Sequence, residues 1–461
     1  MKVSYMIGIM LVLLMVAPVY AQEGAEESPW LTEATPEEAI TFIWLLLTGG
    51  FVFLMQAGFS MLEAGFSRAK NTVNILMKNL MDFSVGILAF WAVGFGIMWG
   101  AKSNLFFGYS DFFLKGFDAA GYNGWFFQMV FAATAATIVS GAMAERTKFK
   151  AYLIYTVIVT AIIYPVYNHW VWSGNGIFWA DAPTFITGLF GVDGHDFAGS
   201  GVVHGVGGYV ALAGAIVLGP RIGKFVNGKP VAIPGHSMSM AMLGAFILAF
   251  GWLGFNGGST LNGLDINYNL VIVNTFLAAG AGAVMAMSLT WLKGGKPDAA
   301  FSINGLIAGL VAITAPAGSV DPWAAVVIGA IGGAVVYFGY RFNENVLKVD
   351  DPIGAIACHG YSGTWGLISV GIFSNGVQKI YAANAPGLLY GGTALFGVQV
   401  AMALFNFVWA FGAGYIMFKA IDAVVGLRVS PEEEMQGLDM SEHGMSAYPE
   451  LTATSQVNSG E

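Results

Sequence analysis

A single cysteine, Cys358, occurs in 461 residues, so no disulfide can close within the chain. Charge is equally scarce. Asp, Glu, Lys and Arg make up 10% of the residues against 56% that are hydrophobic, and such a composition cannot cover a soluble surface. Basic stripes are missing as well: the net charge of −9 is spread over loops and tails, which excludes a nucleic-acid partner. What the chain does have is glycine, 63 residues of it, set among apolar runs, and close-packed helices in a membrane use that combination. The solvent is therefore lipid.

Residues 1–21 read as a signal peptide: Lys2, an apolar run from Met6 to Val16, Pro18, and the small-residue end Val19-Tyr20-Ala21 before Gln22. An uncleaved anchor is the alternative. The segment 22–39 is then extracytoplasmic and ends in Thr35-Pro36-Glu37-Glu38, a helix start with an N-cap threonine, a first-turn proline and a third-position glutamate. From Ile40 onward, charge-poor runs of about 20 residues recur, the length a helix needs to span the hydrocarbon core. Eleven are expected, over 40–63, 76–100, 124–144, 151–173, 197–219, 236–256, 266–292, 299–316, 322–340, 352–373 and 389–418. The expected class is an all-α membrane protein, with a transmembrane domain over 40–428 and a cytoplasmic tail over 429–461.

Loop charges orient these spans, because short cytoplasmic loops collect Lys and Arg. If the first helix runs inward, then of the 19 Lys and Arg only Lys102, Lys115 and Lys379 fall outside, and Lys2 lies in the leader. The other fifteen, from Arg68 to Arg428, fall inside. The N-terminus is accordingly expected outside and the C-terminus inside.

One short pattern occurs twice. Asp196-Phe-Ala-Gly199-x4-His204-Gly205-x2-Gly208 matches Asp351-Pro-Ile-Gly354-x4-His359-Gly360-x2-Gly363. The first copy opens a span that begins outside and the second one that begins inside, the mark of an inverted-topology repeat of five plus five helices, with helix 11 added. The halves run over about 40–219 and 236–373, and helix 11 over about 389–418. Both histidines fall near the bilayer midplane, where a charged side chain costs about 2.5–3.5 kcal/mol and so marks a pathway. A hydrogen-bonded pair that merely pins two helices is the alternative. A metal centre is disfavoured, since no third or fourth ligand stands at suitable spacing, and no cofactor is implied. Asp196 and Asp351 can cap the N–H groups at the start of their helices.

Aromatics gather near the outer helix ends: Phe127 and Phe131 one turn apart, Trp172, and the stretch from Gly251 to Ser259 that holds Trp252 and Phe255. An interfacial belt accounts for such a set. A receptor for a small cation does so too, because an aromatic face attracts a desolvated cation by about 2 kcal/mol.

These residues bring a family into view. The chain resembles the ammonium transporters of the Amt/Mep/Rh superfamily along nearly its whole length, through Ser140-Gly-Ala-Met-Ala-Glu-Arg146, Asp196 to His204, Gly251 to Ser259, Val349-Asp-Asp-Pro352 before His359, and Gly426-Leu-Arg-Val429. The resemblance implies a multi-pass transporter of the cell membrane, not an enzyme. It implies an outer ammonium site at Trp172, Phe131 and Ser259 with Asp196 in support, and a gate of Phe131 and Phe255. Below them, His204 and His359 would line the pore, and Phe127 and Trp252 match further outer aromatics. It also implies a homotrimer whose inner tail, up to about Tyr448, meets a PII-type signal protein. Ammonium would shed its proton at the mouth and cross as ammonia, since a bare ion would bear the desolvation cost. A neutral-gas conductor of the Rh type and an intramembrane enzyme built on the histidines are the competing classes. Leu62 and Glu63 depart from the aromatic pair of better-known bacterial members at the inner mouth, and Glu63 is expected to pair with Arg68 or Lys70, a role in cation exit being the alternative.

Overall fold

The computed structural model describes residues 34–179, 183–377 and 385–449, so the expected signal peptide at 1–21 and most of the segment 22–39 lie outside the described residues. Nine described helices are long and apolar enough to cross a membrane. They are α1 (Pro36–Phe66), α2 (Ala69–Trp99), α3 (Ala119–Met143), α4 (Phe149–Trp172), α5 (Ser200–Leu218), α6 (Met238–Thr260), α7 (Tyr268–Gly294), α9 (Pro322–Leu347) and α11 (Ala394–Val425). Two shorter helices stand where the remaining runs were expected: α8 (Ala299–Thr314), and α10, made of Ile356–Tyr361 running on as Ser362–Phe373. Two short tail helices follow, α12 (Pro431–Gln436) and α13 (Leu438–His443), and a small hairpin pairs β1 (Phe225–Val226) with β2 (Lys229–Pro230) between α5 and α6. The chain is a helical membrane protein.

The first helix starts as its sequence dictates. The Thr35 hydroxyl accepts from the Glu38 N–H at 3.2 Å and the Glu38 carboxylate accepts from the Thr35 N–H at 2.8 Å, with Pro36 in the first turn. Several helices outrun their apolar runs. α2 begins at Ala69 rather than 76, because the run marks only the part that needs lipid, while Lys70, Asn71 and Thr72 extend the helix into a polar layer.

Packing follows a duplicated plan. α1 lies along α6; α3 packs on α5 as α8 packs on α10; α2 meets α4 as α7 meets α9. α3 and α5 are enclosed on nearly every face, whereas Ile43, Phe246, Leu292 and Ile416 project outward as lipid-facing side chains do. Each motif copy begins alike. Asp196 Oδ1 accepts from the N–H groups of Gly199 and Ser200, and Oδ2 from those of Gly201 and Val202, at 2.8–3.0 Å. Asp351 accepts from Gly354, Ala355 and Ile356 at 2.8–3.1 Å. The chain turns at Gly199 (φ 106°) and Gly354 (φ 87°), a left-handed conformation that glycine adopts without a Cβ clash. Each copy then enters a π-helical segment, Ser200–Gly205 or Ile356–Tyr361, with its histidine inside.

One end of the bundle is strongly basic, and buried ion pairs clamp it. Arg68 and Arg221 hold Glu145 at 2.6 and 3.4 Å, and Arg221 holds Asp350 at 2.9 Å. Arg146 donates to the carbonyls of Ala144, Gly219 and Asp350. Burial alone would raise the Asp350 pKa, but the guanidinium groups of Arg146 and Arg221 outweigh it and hold this carboxyl below the usual range. Glu145 is lowered in the same way, its burial outweighed by Arg221 and Arg68. The motifs at Ser140–Arg146, Val349–Pro352 and Gly426–Val429 therefore meet in one clamp, since the Val429 N–H also donates to the Arg146 carbonyl.

Candidate functional site

α5 and α10 approach as closely as backbones can. A Cβ on Gly208 would lie 2.1 Å from the Gly360 nitrogen, and one on Gly363 would lie 2.3 Å from the Ser200 carbonyl oxygen. That approach brings the two histidines together, Nδ1 to Nδ1 at 3.2 Å, with ring centroids 5.2 Å apart and planes 24° from parallel. Both are buried, His204 completely. A hydrogen bond between two Nδ1 atoms needs a hydrogen on one and a lone pair on the other. When both rings are neutral, one Nε2 presents a lone pair and the other an N–H. His204 Nε2 has no hydrogen-bond partner among the described residues.

The surroundings of the pair are apolar and aromatic. His204 stacks on Phe255 and on Trp252, each at 5.2 Å, while Phe59 stands 6.1 Å from His359. The sequence grouped Trp252 with the outer aromatics, but the structure seats it deeper. It lies one helical turn before Phe255 on α6, against His204, with its Nε1 donating to Thr314 Oγ1 at 3.0 Å. Thr314 carried no sequence signal of this role.

Beyond Phe255, toward the end opposite the clamp, a cavity of about 140 Å3 opens, lined by Phe127, Phe131, Trp172, Asp196 and Ser259. Phe131 and Phe255 lie between it and His204, their centroids 4.3 Å apart, and Trp172 meets Phe131 edge-on at 6.3 Å. Trp172 Nε1 donates to the Asp196 carbonyl at 2.7 Å, which leaves its indole face for the cavity wall. Ser259 Oγ donates to the Phe255 carbonyl at 2.7 Å and keeps its lone pairs. Two polar residues of this wall were missed from the sequence, Gln128 and His195, and so were Trp99 and Trp179. Gln128 Oε1, an acceptor, and His195 Nε2, a donor or an acceptor according to its tautomer, are buried without a partner among the described residues. A glutamine inside an apolar helix and a histidine beside the duplicated aspartate were the available signals. Aromatic faces with a few oxygen and nitrogen acceptors suit a small cation carrying N–H donors. Among the described residues, no group of three or more His, Cys, Asp or Glu is placed to hold a metal ion.

On the clamp side of the pair, Glu63 departs from its expected pairing. It is buried and makes no ion pair with Arg68 or Lys70. Ser140 Oγ donates to it at 2.6 Å and Asn79 Nδ2 at 3.3 Å. Arg68 is drawn to Glu145, and Lys70 donates to the backbone carbonyls of Glu434 and Met435. The helix decides this: Glu63 follows Phe59 by one turn on the buried face of α1, so it faces α2 and α3 rather than the loop.

An enclosed polar pair at the centre of a multi-pass bundle, reached from an aromatic-walled cavity, defines a membrane transport protein. The Ammonium Transporter Family matches residues 43–448, and the chain belongs to that family, whose members are transporters and not enzymes. It is 51% identical over 455 residues to Ammonium transporter Amt2 of Archaeoglobus fulgidus, covering 97% of this chain and 96% of that relative. It is 40% identical over 438 residues to Ammonium transporter Amt1 of Haloferax mediterranei, covering 92% of this chain and 82% of the relative. Among solved structures it is similar to a Sensor Amt Protein, with a TM-score of 0.81, 40% identity, and coverage of 88% of this chain and 99% of that one. It is also similar to Mep2 of Candida albicans, with a TM-score of 0.77, 28% identity, and coverage of 89% and 90%. The chain is an ammonium transporter.

Proposed function

We propose that this transporter binds ammonium in the aromatic cavity, removes its proton there, and passes ammonia between His204 and His359 while the proton follows along the imidazoles. Trp172, Phe131 and Ser259 hold the ion, Asp196 fixes the loop beside it, and Phe131 with Phe255 forms the gate. Phe127 and Trp252 complete the aromatic wall above and below. Eleven spans in an inverted five-plus-five repeat, with α11 added, place this cavity outside and the clamp inside the cell membrane. The chain follows the order signal peptide 1–21, extracytoplasmic segment 22–39, transmembrane domain 40–428 and cytoplasmic tail 429–461. Three copies assemble, each with its own pathway, and the tail meets a PII-type signal protein. The Sensor Amt relative leaves room for a sensing role beside transport.

The observation that carries this reading is the 3.2 Å contact between two Nδ1 atoms among the rings of Phe59, Trp252 and Phe255. Ammonium would lose its hydration there at a cost of several kcal/mol, whereas ammonia can donate to the bare Nε2 and move on. Potassium, which has no proton to shed, is refused on the same ground. Moving a hydrogen from one Nδ1 to the other while the outer nitrogens exchange theirs would pass a proton without building two charges.

Proteoliposomes given an ammonium pulse test it. The expected result is a concentration-dependent current, lost on His204→Ala combined with His359→Ala or replaced by potassium leak. Silent uptake favours a neutral-gas conductor, and a double variant that behaves as wild type removes the relay.

A further inference from the structure

Glu63 lines a second, smaller cavity. Phe59, Leu62, Cys358 and His359 share its wall, its volume is about 20 Å3, and it lies on the clamp side of the histidine pair. A space of that size holds one water-sized molecule, which is the size of ammonia or ammonium. Asn304 also lines the wall, and its amide already donates to the Ile353 carbonyl at 3.0 Å.

The charges around the cavity do not balance. No cationic side chain lies within ion-pair distance of Glu63 among the described residues. Lys78 is the nearby cation, but its ammonium donates to the Thr147 carbonyl at 3.3 Å and stands 5.5 Å over the Tyr152 ring. A second buried carboxylate, Asp82, accepts from Tyr152 at 2.6 Å in the same interior. The lysine nearest Glu63 is thus held elsewhere, by the Thr147 carbonyl and the Tyr152 ring. A buried carboxylate without a counter-ion is unfavourable unless it takes up a proton or a cation, and Glu63 is the acid of the two that reaches a cavity.

We infer that Glu63 forms an inner ammonium site, where ammonia arriving past His359 is protonated and held before release. The inference rests on the proposed pathway. Ammonia takes the proton of the Glu63 carboxylic acid, which leaves ammonium against a carboxylate. After the ion departs, a proton relayed by the histidine pair restores the acid. Ser140 and Asn79 position the carboxylate by donating to it.

Side-resolved flux in oriented proteoliposomes tests the site. Glu63→Gln should raise the half-saturating internal ammonium for outward flux about tenfold, the loss of one charge-assisted contact. Half-saturation from the external side, set by the aromatic cavity, should not move. Glu63→Asp, which keeps the charge but withdraws it by one methylene, should give a smaller shift of the same sign and covers the case in which the glutamine variant does not assemble. Unchanged internal half-saturation in either assembled variant, or an equal shift on both sides, overturns the inner site while leaving the pathway intact. A wild type without saturable ammonium flux overturns both.

Discussion

Asp196 accepts four backbone N–H groups and Asp351 accepts three, and this inequality is measurable. Each oxygen of Asp196 serves two donors, so an asparagine in its place must turn an NH2 toward two N–H groups whichever way it flips. In Asp351, Oδ2 serves only the Ile356 N–H, so asparagine can sacrifice one bond. Leaving buried donors unmet costs about 1–3 kcal/mol each. Asp196→Asn should therefore lower unfolding stability by about 2–6 kcal/mol and Asp351→Asn by about 1–3 kcal/mol on that scale. Denaturation midpoints in detergent would decide, and equal losses would contradict the count. Both aspartates and both histidines were legible in the sequence because duplication at fixed spacing is visible without coordinates. The partners of Glu63 were not. Arg68 and Lys70 are near it in sequence, but only the helix phase shows that it turns inward, and only the fold brings Ser140 and Asn79 to it.

At the scale of elements, the crossing of α5 and α10 sets the distance between the imidazoles. Gly208→Ala would press a methyl group into the Gly360 backbone, contacts of 2.1 and 2.5 Å that cannot be relieved by turning a side chain. Such overpacking costs about 1–3 kcal/mol. Separating the helices also breaks the Nδ1 contact, so ammonium flux should fall at least about tenfold, the factor attached to 1.4 kcal/mol. Gly412→Ala is the matched control, since nothing lies within 4 Å of its added methyl group on α11. It should leave flux unchanged and raise helix stability by up to about 1 kcal/mol. Flux measured on both variants at equal protein density checks the pair, and a loss in both would show that any added methyl group is disruptive. The apolar runs made the helices readable, because length and hydrophobicity are properties of a segment alone. The π-helical segments at Ser200–Gly205 and Ile356–Tyr361 were not readable, because one extra residue per turn leaves no mark in composition. The depth of Trp252 escaped for a similar reason: a helix end was located, but not which turn meets His204.

For the molecule as a whole, the basic end is where the two repeat halves and the tail are bound into one body. The Leu438 N–H donates to Asn71 Oδ1 and Asp439 Oδ1 accepts from the Asn74 N–H, both at 2.9 Å, so α13 lies against the start of α2. His443 Nε2 meets the Asn74 amide nitrogen at 3.0 Å, and its ring stands edge-on to Phe149 at 4.9 Å. An amide nitrogen can only donate, so the contact requires a lone pair on the imidazole. Burial lowers the His443 pKa from its ordinary 6.5, Lys78 lowers it further, and Asp439 works in the opposite direction. The docked tail therefore binds fewer protons than the free tail. Its hold is complete above about 6.5, the ordinary imidazole value, and is lost as pH falls through the lower docked value. Amide exchange over Leu438–His443, with intrinsic rates divided out, should accelerate as pH falls below about 6.5. His443→Gln, whose side-chain oxygen can accept from Asn74 at any pH, should remove that acceleration. Exchange that stays level in the wild type, or that still accelerates in the variant, would show that His443 is not the titrating contact and would shift attention to Asp439, whose carboxyl burial raises.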